Sequence, residues 1–400
     1  MTPTATRSGG QAHGEIAGAR PAGFSVGLES LRGIAASLVV LYHAMLVFQV
    51  GLHGEPHRTP MDVSDPALFA LHALMAVFNG PNAVILFFVL SGTVLTLSLD
   101  RAGAVSGRGL VGYYVRRLFR IMPLLAFVAL LAVVAHLMIA AREPLSTGTD
   151  WMQAYYRHEP GLGELVLNAI GWSNSLNSPT WTIRIEILAS LVFPLLYVLR
   201  GSPAIVAAML VALSALAFAN LEPVRFHVFL ISFYLGALIP LVAPRVEALM
   251  ERVGPFAVVT VVVAAIGFAA AAERLYRPWV HVEPARVLLI SGAAAVLVCA
   301  VYCGIGKRLL NTRVFAFLGK VSYSVYLIHF GVLFAVAYAV APYLPQELDP
   351  FSAVAANVAL GIVCLPITVA MSALSHRLVE KPFQNVGRTV SRKLIGGLRT

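Results

Sequence analysis

The chain has 400 residues, 58% of them hydrophobic and only 12% charged, with a formal net charge of +10. A soluble domain carries about 25% charged residues, so this composition and a mean hydropathy of +0.81 exclude a soluble globular enzyme. They describe an all-α, polytopic membrane protein whose cations, scattered through short loops, serve topology or anionic cofactors and lipid head groups rather than nucleic acid.

Residues 1–27 are rich in Gly, Ala, Ser and Thr and have no apolar period, which predicts a flexible cytoplasmic tail without a signal-peptide pattern. A membrane span needs about 20 apolar residues. Such windows lie at 33–54, 81–99 (after a short surface helix), 121–141, 185–199, 201–221, 226–244, 253–272, 287–306, 321–346 and 350–376. About ten transmembrane helices are therefore expected within residues 28–385, followed by a basic cytoplasmic tail over 386–400. With the N-terminus inside, 21 of the 29 Lys and Arg fall in cytoplasmic segments and 8 outside. That bias supports an N-in, C-in arrangement in a cytoplasmic membrane. There is no internal repeat of the inverted kind found in many transporters.

Arg32 and His43 are eleven residues apart in the first apolar stretch. Eleven helical steps advance about 16 Å and return to nearly the same face. The pair sets a cation at the boundary and an imidazole deeper on one stripe, where ionisable groups are costly and suggest function. His43 is either a general base or acyl relay or a histidine satisfied by a helix–helix hydrogen bond. Glu186, near the start of a span, either orients His43, holds an acceptor or pairs with Arg184. Ser91 lacks a nucleophile elbow and reads as close packing beside Gly92.

The long outer loop at 142–180 carries Trp151, Tyr155, Tyr156 and Trp172 with Asn174 and Asn177, suited to an interfacial belt or a sugar platform. Cys299, Cys303 and Cys364 lie in apolar runs and suggest neither a disulfide nor a metal site. His53 and His57 in the first outer loop are weak metal candidates, and no metal is expected.

Six segments in one order resemble the acyltransferase-3 family of integral membrane acyltransferases. They are Leu31-Arg-Gly-Ile-Ala-Ala with Leu41-Tyr-His-Ala, Phe87-Phe-Val-Leu-Ser-Gly92, Arg116-Arg-Leu-Phe-Arg-Ile-Met-Pro123, Pro179-Thr-Trp-Thr-Ile-Arg-Ile-Glu186, Gly319 to His329, and His376 to Phe383. The resemblance covers about residues 28–385. Glu29-Ser30, Thr93 and Arg184 depart from the usual pattern. The resemblance implies an O-acyltransferase, with His43 and Glu186 catalytic and Arg32, Arg117 and Arg120 binding the donor. Trp181, Tyr323 and His329 would touch the acceptor. It implies acyl-CoA, usually acetyl-CoA, as co-substrate, with no tightly bound cofactor. The acceptor would be a hydroxyl of a surface or exported glycan or its lipid-linked precursor, with a small secondary metabolite such as a macrolide as the alternative. A flippase of a lipid-linked glycan is the rival from another class. Membrane lipids and a second copy of the chain complete the expected partners.

Overall fold

The computed structural model describes residues 23–51, 59, 62–101, 107–139, 142–156, 159–221, 225–276 and 283–397. Most of the expected N-terminal tail, together with His53 and His57, lies outside the described residues. Helices form throughout because long apolar segments must satisfy every backbone N–H and C=O internally when water is absent. Among the described residues there is no strand, only an isolated antiparallel bridge between Phe48 and Gly148.

The helices in chain order are α1 (Gly23–Ala44), α2 (Pro66–Phe78), α3 (Gly80–Arg101), α4 (Gly107–Ile139), α5 (Asp150–Gln153), α6 (Leu162–Ala169) and α7 (Trp181–Val198). They continue as α8 (Pro203–Ala217), α9 (Leu230–Tyr276), α10 (Glu283–Ala300), α11 (Gly304–Leu310), α12 (Arg313–Val340), α13 (Pro350–Ser375) and α14 (Lys381–Gly397). Seven helical stretches among the described residues are long and apolar enough to cross a membrane. The expected count of ten differs from this in three places. α1 carries Glu29, Arg32 and His43, α8 has only 15 residues, and the run Arg225–Arg274 is 50 residues long. That run is broken at Gly254, whose φ of 81° no helix accommodates and which suits glycine.

Several expected boundaries move. The first span does not run over 33–54. α1 begins ten residues earlier and ends at Ala44, so His43 occupies its last turn. Beyond it the chain turns over residues 45–47, then runs extended, and is held by protein groups. Phe48 donates its N–H to Asn357 Oδ1 on α13 (2.9 Å) and accepts from Asn357 Nδ2 (3.0 Å). Gln49 N donates to Thr147 O, and Thr149 N to Val47 O, both at 2.9 Å. Non-helical backbone survives at such depth only with partners of this kind. α2 is not a surface helix, since Ala67, Leu68, Leu71, His72 and Met75 are buried. α4 starts well before 121, and its added turns pack against α14, which continues through the residues expected to be a tail.

α1 packs most extensively on α12, and the two run parallel. A Cβ on Gly33 would stand 2.5 Å from the Gly319 backbone nitrogen, and one on Gly319 would meet the Glu29 carbonyl. Further along, Ala36 and Val40 of α1 pack with Val321 and Val325 of α12. Small residues of this kind let membrane helices approach at backbone distance. A similar approach joins α3 to α9. There, a Cβ on Gly92 would strike the Phe233 carbonyl, and Thr93 Oγ1 donates to Gly236 O (3.1 Å).

The crossing generates a test. Gly33→Ala and Gly319→Ala are each expected to destabilise by about 1–3 kcal/mol, the range for overpacking. Gly267→Ala on α9, where nothing lies within 4 Å, is expected to be neutral. Thermal unfolding of the purified variants in detergent measures both, and equal melting of all three would dismiss the crossing as a constraint.

Candidate active site

Two polar centres lie along the α1–α12 pair. The first joins His43, in the last turn of α1, to His329 in mid-α12. Gly33 to His43 and Gly319 to His329 are both ten residues, about 15 Å of helix. Parallel helices in contact at the glycines therefore bring the two histidines level. His43 Nδ1 lies 3.0 Å from His329 Nε2, and the ring centroids are 5.1 Å apart at 25°, the spacing of rings joined edge to edge.

The hydrogen-bond network assigns the tautomers. His329 Nδ1 lies 2.7 Å from the Tyr326 carbonyl, which can only accept. Nδ1 of His329 therefore carries the hydrogen, and in the neutral ring Nε2 is the acceptor. His43 must then donate from Nδ1, so its own Nε2 bears the lone pair. The histidines thus form a directed chain ending on a backbone oxygen, and His43 has the tautomer of a general base.

The segment over residues 144–156 builds the wall of this centre. Thr149, capping α5, donates from Oγ1 to Leu46 O (2.6 Å), which draws α5 against the end of α1. Trp151 then lies parallel to the His43 ring, with centroids 5.6 Å apart at 9°. Tyr155 and Tyr156 pack on Phe330 and Phe334 of α12. Tyr156 is buried with φ of 60°, a left-handed conformation that a bulky residue adopts only when its surroundings enforce it.

The second centre is cationic. Arg117 on α4 pairs with Glu186 on α7 at 2.8 Å, with their side chains 13% and 15% exposed. Ser190 Oγ accepts from Arg117 Nη2 (2.7 Å) and Nε (3.1 Å), and Ser91 Oγ donates to Glu186 Oε1 (3.4 Å). Arg32 and Arg120 contribute to the field at Glu186. Beside this group a cavity of about 420 Å³ is lined by Arg101, Arg116, Arg117, Arg120 and Arg388, together with Tyr113 and Gln384. Among the described residues, only Arg117 of these five arginines has a carboxylate within ion-pair distance. A concave cluster of this kind suits phosphate groups, which guanidinium binds bidentately.

Residues 25–374 match the family profile of the acyltransferase domain Acyl_transf_3. The chain belongs to the acyltransferase-3 family. No curated protein and no solved structure matches it.

The family features expected from the sequence fall into place unevenly. His43 and His329, expected as base and acceptor ligand, are hydrogen-bonded partners. Glu186 neither pairs with Arg184 nor reaches His43. Arg184 Nη1 donates to the Trp172 carbonyl (3.0 Å), while Glu186 is held by Arg117. The reason is register, because Glu186 faces α4 at the level of the arginines. Arg32 has its Nε buried without a hydrogen-bond partner. Tyr323 donates to Ile121 O (3.0 Å) and ties α12 to α4. Trp181 packs on Phe229, with centroids 5.7 Å apart, and touches neither centre. Sequence reasoning missed Trp151 as a neighbour of His43. It also missed Arg101, Arg116 and Arg388 as cavity residues. Equal ten-residue spacings from Gly33 and Gly319 were the signal that could have paired the histidines.

The buried pair gives a second test. Removing one member of such a pair typically costs about 3–5 kcal/mol, because a charge is left uncompensated. Glu186→Leu is expected to be the most destabilising single change, and Arg117→Met with Glu186→Leu to recover part of the loss. Recovery stays incomplete because Arg32 and Arg120 also lose the favourable field of Glu186. Additive losses in a double-mutant cycle, read by thermal unfolding, would show that the pair is not coupled.

Proposed function

We propose that this acyltransferase moves an acyl group, acetyl in the first instance, from acyl-CoA to a hydroxyl of a glycan sugar or its lipid-linked precursor. It does so in a cytoplasmic membrane, with both termini on the cytoplasmic side. The observation that carries the reading is the directed chain from His43 through His329 to the Tyr326 carbonyl, within a chain of this family.

His43 Nε2 takes the proton of the acceptor hydroxyl as its oxygen attacks the thioester carbonyl. The C–S bond breaks, an ester C–O bond forms, and the coenzyme A thiolate leaves and collects the proton from His43. As His43 becomes cationic, its Nδ1–H donates more strongly to His329 Nε2, whose opposite nitrogen is anchored on a carbonyl. That anchoring stabilises the imidazolium and fixes the ring for the reaction. Arg117 and Arg120, with Arg32 nearby, hold the phosphate-bearing end of the donor, and Glu186 orients Arg117. Trp151 offers a flat apolar face to a sugar ring. Acylation of a small secondary metabolite uses the same groups.

Radiolabel transfer from acetyl-CoA into membrane glycans tests the reading. His43→Ala is expected to abolish transfer at equal membrane levels. His329→Gln should lower it about 10²-fold, the lower end of general-base contributions. Labelling unchanged by His43→Ala would remove this histidine from the chemistry. Substrate uptake without consumption of acetyl-CoA would favour a transporter.

A further inference from the structure

The basic cavity has a wall that the family match does not reach. The matched region ends at residue 374, whereas α14 spans Lys381–Gly397. This helix is built into the domain. A Cβ on Gly387 would stand 2.5 Å from Phe119 Cβ, and one on Gly112 of α4 would stand 2.6 Å from Ile395 Cδ1. Ser391 is buried and accepts from Arg116 Nη1 (2.9 Å) while donating to the Gly112 carbonyl (3.3 Å). One π-helical turn, His376–Glu380, joins α13 to α14 and turns Glu380 inward. There Glu380 accepts from Ser324 Oγ of α12 (3.0 Å) and from Gln384 Nε2 (2.9 Å). The first turn of α14 is thereby fixed to α12, and its middle to α4.

On the face so fixed, Arg388 lines the cavity opposite Arg101, Arg116, Arg117 and Arg120. Neither Arg388, Arg120 nor Arg101 has an ion-pair partner among the described residues. Guanidinium groups around a single cavity repel one another, an effect only partly offset by Glu186 and Glu380, and an anion with several oxygens removes the remainder.

We propose that α14 is the closing wall of the donor site and that Arg388 binds the phosphate-bearing end of the acyl donor. This rests on the donor reading above. The chemistry recognised is phosphate, which an anionic lipid head group also offers, so the test separates the two sources.

The experiment uses the full chain in nanodiscs of phosphatidylcholine, with or without phosphatidylglycerol, and measures coenzyme A binding calorimetrically and KM for acetyl-CoA. Arg388→Gln is expected to raise the coenzyme A Kd and the acetyl-CoA KM about tenfold, a change of 1.4 kcal/mol, with kcat unaltered. Arg388→Lys should restore part of the affinity. Arg392→Gln removes an equal charge from an exposed position one turn on, and is expected to change Kd less than twofold. Binding by the intact protein that is unchanged in Arg388→Gln overturns the role of α14 and leaves the donor reading standing. No coenzyme A binding by the intact protein overturns the donor reading, and with it this proposal. Loss of a phosphatidylglycerol effect in Arg388→Gln, with coenzyme A affinity intact, assigns the wall to lipid and overturns it as well.

Discussion

The close approach of α1 and α12 at Gly33 and Gly319 is the constraint on which the rest of the site depends. Without side chains between them, the two backbones meet, and their parallel course carries the contact forward. Two histidines at equal distances from that contact then arrive at hydrogen-bonding range. A rotation of one helix by a single residue, about 100°, would separate them. The Ala36, Val40, Val321 and Val325 cluster between the glycines and the histidines fills the seam and resists such rotation. The polar end of the seam is thus positioned by its apolar length.

Electrostatics divides the molecule differently. The histidine centre is built from two hydrogen-bonded rings, oriented by a carbonyl and by aromatic neighbours. The arginine centre holds several cations around the tightly held Glu186, with Glu380 close enough to act on Arg120. In a medium of low dielectric such cations are expensive to keep together, and Ser91 and Ser190 contribute hydrogen bonds rather than charge. An excess of positive charge around one cavity is a repulsion that a bound anion would offset. On the reading proposed above, the arginine end grips the phosphates of the donor while the histidine end takes the proton of the acceptor hydroxyl.

The segment between α4 and α6 completes the histidine centre by an unusual route for a membrane chain. α1 stops at Ala44, and the backbone beyond is carried by Asn357, Thr147 and Thr149. Those same bonds seat α5 so that Trp151 covers His43. A single device therefore ends a helix, satisfies the peptide groups beyond it and brings an aromatic face to His43. The left-handed Tyr156 marks where the loop bends back over Phe330 and Phe334.

Composition and period made the membrane class and all-α fold legible, because lipid leaves a chain few ways to satisfy its backbone. The ordered motifs made the family legible, and they placed His43 and the basic Arg116 to Arg120 segment among the functional candidates. Hydropathy could not mark the end of α1, since Met45 to Val50 is as apolar as a helix and only long-range partners end it. It did separate the halves of α9, as windows at 226–244 and 253–272, and the Gly254 dihedral marks the break between them. The pairing of His43 with His329, 286 residues apart, and of Arg117 with Glu186, 69 apart, came from packing alone. So did the recruitment of Arg388 from a segment that looked like a tail. The sequence by itself determined which residues are too costly to bury without a purpose. Only the tertiary structure decided their partners, because helix register and backbone contact are set between segments, and no local pattern records them.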